Sequence, residues 1–279
     1  MCQMDYSHQL RPLEVYQIGI QMLYSFAQRP WNEMIYVADS KKFLNYDVLI
    51  LFINSRQPSE PVQLQVKHCV TSLYRALSIM TDGIMFYQLR CHISIMKDEV
   101  GALSITPWDD YAISSVNVSK KAPTNHIHEI SKNVPPDGLT TNSGQFKDPD
   151  NPAFVMNYHF FSKAINPKSV SMAVVEAMTA AAPFPTNGKC LELSIVSPDG
   201  VCGIFIESIS SHHEFTYHWA TRALKNLYQH LVVAQKRFAD IYIELWFDAE
   251  GIFEQFGELR MLKVASSESH HHTTVTAGR

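Results

Sequence analysis

Three imidazoles, His212, His213 and His218, crowd into one stretch, SHHEFTYHWA, together with Glu214. Imidazoles titrate near neutrality and bind metals as the neutral ring, so this grouping carries the residue types of acid–base chemistry or of a metal site. The spacing matches no zinc pattern, and H-E-x-x-H is absent. No metal is therefore expected, and His213 and His218, with His212 beside them, stand as acid–base candidates. The competing reading is a polar helix entry, with Glu214 set against the positive end of the helix dipole.

The other chemistry-bearing residues are sparser. His126-Ile127-His128-Glu129 carries ligand-type residues but falls in a polar stretch with no rigid frame, and His270 to His272 belong to a polar tail. Neither G-x-S-x-G nor a cysteine in a catalytic setting occurs. Without G-x-G-x-x-G or a P-loop, and with only 11 glycines, nucleotide binding of the common kinds is disfavoured and no cofactor is expected. Asp98, Asp199 and Asp248 sit at hairpin turns, where turn chemistry accounts for them. Among the aromatic residues, Phe205, Trp219, Tyr242 and Trp246 are the candidates to line a pocket for an apolar ligand.

What could hold such residues is legible as an internal repeat. Pro12, Val15, Ala27, Pro30 and Asn32 match Pro167, Val170, Ala182, Pro185 and Asn187 at an offset of 155. Each segment opens with proline at a first helical turn and stops near another, as a short helix does. An extended run follows in both halves, folded back in the second at Pro198-Asp199-Gly200. A second helix follows, with stripes at Val66, Val70, Leu73, Leu77, Met80, Ile84 and at Ala220, Leu224, Leu227, Leu231, Ala234. The trio Arg75-Ala76-Leu77 sets the match to Arg222-Ala223-Leu224. A last hairpin aligns Asp98 and Gly101 with Asp248 and Gly251.

The expected fold is α+β: two tandem copies of an α-β-β-α-β-β unit, antiparallel sheets with helices on one face, packed as a pseudo-twofold internal dimer. Residues 1–11 read as an N-terminal extension, 12–106 as copy one, 107–155 as a polar linker, 156–262 as copy two and 263–279 as a disordered tail. In the final hairpin Ile241, Ile243 and Leu245 alternate with Tyr242 and Trp246, so both sheet faces carry apolar residues. That pattern predicts that the second copy covers the face the helices leave bare.

Composition bounds the rest. With 46% apolar and 18% charged residues the chain is that of a folded protein, and its net charge of -4 argues against a nucleic-acid partner. No apolar run reaches the roughly 18 residues of a bilayer span, so no membrane partner is expected. Five cysteines, odd in number and without CxxC spacing, predict free thiols in a reducing, cytoplasmic setting. The functional expectation is a non-catalytic protein that binds an apolar small molecule or a protein partner at the seam between the copies. The alternative is a small-molecule enzyme with its cleft there, using His213 and His218.

Overall fold

Proline at the first helical turn and alternating apolar residues in the hairpins build the same order of elements twice. The computed structural model describes residues 2–36, 38–41, 47–56, 61–108, 142–209, 212–249, 252–264 and 274–277. In the first half these form β1 (Cys2–Gln9), α1 (Pro12–Ala27), β2 (Ala38–Lys41), β3 (Val48–Asn54), α2 (Val66–Asp82), β4 (Tyr87–Ile95) and β5 (Asp98–Pro107). In the second they form β6 (Ser143–Asp148), β7 (Asn151–Ala164), α3 (Pro167–Ala181), β8 (Cys190–Val196), β9 (Cys202–Ser208), α4 (Tyr217–Asn226), β10 (Ala239–Ala249), β11 (Ile252–Lys263) and β12 (Thr274–Ala277). One sheet has the order β1-β4-β5-β3-β2, the other β12-β8-β9-β11-β10-β7-β6, and every pairing is antiparallel. Read from β4 and from β10, the two orders coincide strand for strand, so the chain is a tandem α+β repeat.

Each unit opens with a strand that was not expected, and the second carries two more, β6 and β12. β1 precedes α1 and pairs with β4, and β7 precedes α3 and pairs with β10. Residues 1–11 are therefore not a mere extension, and the linker of 107–155 gives way to strand at Ser143. β1 escaped the sequence because its apolar content is slight (CQMDYSHQ) and it is exposed almost throughout, held by backbone hydrogen bonds rather than by an apolar face. β12 likewise pairs with β8 within the stretch expected to be a disordered tail. His126, His128, Glu129 and His270 to His272 lie outside the described residues.

The copies meet through their helices. α1 packs on α3 and α4, and α2 on α3, so two helical layers lie between two outer sheets. This corrects the expectation that one copy would cover the bare sheet face of the other. α1 is accordingly apolar on both sides: Val15, Ile18, Ile20, Leu23 and Phe26 are all buried, between β3 and α3. In α3 the facing residues are smaller, with Ala173, Val174, Ala177 and Met178 fully buried.

The second helices align differently from the Arg-Ala-Leu trio. Val66 donates its backbone N–H to Glu33 as Tyr217 does to Gly188, and Lys67 donates to Trp31 as His218 does to Thr186. Met34 bridges Gln65 as Lys189 bridges Thr216. Val66 thus corresponds to Tyr217 and Arg75 to Asn226, and the trio match is wrong by one helical turn. The slip goes unseen in the stripe because an apolar face recurs every three to four residues. Beyond Asn226 the helix continues as a π-helix, Leu227–Val233. Both helices end at a residue of φ 52°, Ile84 and Lys236, so the second holds one more residue than the first. The π turn absorbs it.

A disulfide joins Cys2 to Cys91, contrary to the expectation of free thiols. The bond exists because β1 pairs with β4 in a register that sets Cys2 directly opposite Cys91. Cys69, Cys190 and Cys202 are buried and outside the disulfide, and burial pushes the Cys190 thiol up to about 12. The bridge closes a loop of sequence separation 89. Cys2→Ser is expected to lower unfolding stability by about 2–4 kcal/mol without reductant, a difference that dithiothreitol erases; urea denaturation under both conditions measures it.

Candidate functional site

The seam has two flanks. On one, α4 lies along α1 and is filled by polar contacts. Gln28 of α1 accepts a hydrogen bond from His218 Nδ1 at 2.6 Å and donates to Thr221 at 3.0 Å, while Gln229 donates to Gln21. The Lys225 ammonium lies 4.9 Å from the centre of the Tyr24 ring and 3.0 Å from Asp150. Beneath it Asp148, fully buried at the β6–β7 turn, accepts from Arg222 Nε at 2.5 Å and from Asn226 at 2.7 Å. Burial pushes the Asp148 carboxyl up, but these hydrogen bonds outweigh it and hold the group below its ordinary value. Among the described residues Arg222 Nη2 and Asn226 Oδ1, both buried, have no hydrogen-bond partner.

On the other flank, α2 and α3 part to leave a cleft of about 520 Å³. Tyr74, Arg75, Ser78, Ile79, Thr81 and Asp82 line it from copy one; Lys168, Met172, Pro198 and Asp199 line it from copy two. The helices run antiparallel there, since Thr81 meets Met172 and the field of Glu176 reaches Tyr74. Asp199 is already occupied: Ser169 and Ser197 donate hydroxyls to it at 2.6 and 2.5 Å, and the N–H of Val201 at 3.2 Å. Burial raises its pKa, but these donors prevail, with help from the nearby Lys168 charge, and lower it. Arg75 is exposed and, among the described residues, makes no hydrogen bond or ion pair.

The residues singled out from sequence scatter. His212 and His213 both turn Nδ1 to the carboxylate of Glu254, at 3.2 and 3.1 Å, and the His213 ring lies tilted against Phe247. The N–H of His212, followed by the His213 ring, holds the Glu254 carboxyl down at about 2. These two stand apart from the seam. His218 reaches it, yet its ring contact there is Gln28 rather than a carboxylate, and burial lowers its pKa. Trp219 packs inward, stacked on Phe154 and edge-on to Phe256. Phe205, Tyr242 and Trp246 alternate with buried neighbours and so face outward from the sheet, Trp246 stacked on Phe253. None of the four aromatics lines the cleft. The cleft residues had one sequence signal, the apolar Tyr74 and Ile79 lying off the core stripe of α2.

Among the described residues no group of three or more ligand-type side chains could hold a metal ion, and no helix is long and apolar enough to cross a membrane. No family model matches the chain, and neither does any curated protein. A solved structure to which it shows likeness is the tandem DUF26 ectodomain of the Arabidopsis thaliana cysteine-rich receptor-like protein PDLP8. The match has 9% sequence identity and a TM-score of 0.26 over 95% of this chain and 98% of that one.

Two outcomes test the filled flank. Removing the carboxylate in Asp148→Ala leaves the Arg222 guanidinium buried and uncompensated, and is expected to cost about 3–5 kcal/mol in urea denaturation. Burial lowers the pKa of both His218 and His230 below the ordinary 6.5. The unfolded chain thus takes up these protons first. The stability the neutral rings carry is complete above pH 6.5 and falls as pH drops through their lowered folded values. His230→Phe is expected to flatten that decline, read as Tm against pH.

Proposed function

We propose that the protein is a non-catalytic binding protein and that its ligand site is the cleft between α2 and α3, with an apolar small molecule as the occupant. The observation that carries this reading is the lining itself. Both copies contribute to the cleft, and its apolar lining comes from Ile79, Met172 and Pro198, with the Tyr74 ring also in the wall. A concave site of a few hundred cubic ångströms with an apolar lining and a few polar groups is the usual form of a small-molecule site. Ile79 is 45% exposed, so an apolar occupant removes surface from water that folding leaves wet.

The histidines favour binding over catalysis. His212 and His213 share one half-buried carboxylate, Glu254, on a part of copy two that the cleft does not reach. The Cys2–Cys91 bond supports an oxidising compartment in place of the cytoplasm expected from the cysteine count.

The neutral fluorophore 1-aminoanthracene is a suitable probe. It is expected to bind with a rise in fluorescence that Met172→Trp, which fills the cleft, weakens at least about tenfold. Phe205→Ala and Trp246→Ala, on the outer sheet face, are expected to leave it intact. Undiminished binding by a folded Met172→Trp variant rules the cleft out.

A further inference from the structure

The cleft is chemically unequal at its two ends. Arg75 and Asp82 lie seven residues apart on α2, about 10 Å along the helix axis. The Asp82 end also holds Lys168 and Asp199. Lys168 occupies the first turn of α3, where a cation opposes the helix dipole, and it acts electrostatically on Asp199. Two carboxylates, Asp82 and Asp199, therefore share one cation at that end, which leaves it net negative. At the other end stands Arg75, whose guanidinium has no hydrogen-bond or ion-pair partner among the described residues, with the Tyr74 phenol next to it in the lining.

Arg222 of α4 shows how this fold treats a guanidinium at the seam. There the protein supplies the anion itself, in Asp148, and α4 and α1 close over the pair. Arg75 has no such partner among the described residues: the Glu176 carboxylate of α3 acts on the neighbouring Tyr74 but makes no ion pair with Arg75, and the flank stays open. A planar guanidinium in a half-open, largely apolar cleft offers paired N–H donors that match a carboxylate, while the Asp82 end repels one. Both effects orient the ligand the same way.

Resting on the cleft as the ligand site, we propose that its ligand is an amphipathic aliphatic carboxylic acid. Its acid group is read by Arg75 and its chain lies over Ile79 and Met172 toward Asp82. The test uses the full chain and displacement of 1-aminoanthracene by decanoate and by 1-decanol, which share the chain and differ in the head group. Decanoate is expected to displace the probe about tenfold better than decanol, the worth of one charge-assisted contact. Arg75→Gln is expected to equalise the two, and Arg75→Lys to restore part of the preference. Equal displacement by acid and alcohol in the unaltered protein overturns the acid ligand while leaving the cleft as a binding site. An acid preference that survives Arg75→Gln overturns the role of Arg75. If the probe itself does not bind, the cleft reading falls first.

Discussion

Everything in this molecule follows from the burial of α1 against α3. Each of these helices lies on its own sheet with one side and on the other copy with the opposite side. A helix so placed must be apolar nearly all round, which explains why Val15, Ile18, Ile20, Leu23 and Phe26 cover more than a single stripe. It also fixes where polar chemistry can go. The centre of the seam is closed by apolar side chains, and the polar contacts and the cleft described above lie on its two flanks.

The flanks have diverged in a way that suits different tasks. One is stapled between the copies by Gln28 with His218 and Thr221 and by Gln21 with Gln229, above a network of Asp148, Arg222 and Asn226 within copy two. The other keeps its space and leaves Arg75 open to solvent. A tandem repeat is well placed for this division, because one copy of a feature can hold the halves together while the other is released from doing so. The π turn in α4 belongs to the closed flank: Leu227–Val233 carries Gln229 and His230, the latter stacked on Phe146 at 4.8 Å.

Much of the fold was legible because its punctuation is local. Pro12 and Pro167 mark equivalent helix starts, and Pro198-Asp199-Gly200 turns the hairpin with Gly200 at φ 71°. What failed was long-range. β1 has no apolar alternation to read, and its disulfide depends on a register set only once β4 is in place. Two-sided apolar strands pointed to a covered face, but Trp246 satisfies itself locally, stacking on Phe253 and donating its indole N–H to Glu244. The candidate cleft was out of reach for the same reason. Its walls lie on helices from different copies, and only the unexpected helix-to-helix seam brings Ile79 and Met172 together.

Placing the helices inside turns one face of each sheet outward. On the smaller sheet that face is buried too, since Leu49 and Leu51 of β3 are covered as Ile50 and Phe52 are. The larger sheet leaves its outer face partly exposed, and such a face invites stacking. On the larger sheet Glu244 lies opposite Glu258, Glu258 opposite Glu207, and Glu207 opposite Glu192. The side chains form a line of carboxylates across four adjacent strands, relieved at one point by the pairing of Arg260 with Glu207. Like charges placed directly across strands cost stability within the sheet. The same line opposes any second sheet of its own kind laid over it, since glutamate would meet glutamate along its length. The cost is borne inside one molecule, and the benefit appears between molecules, as a surface that keeps copies of the chain apart.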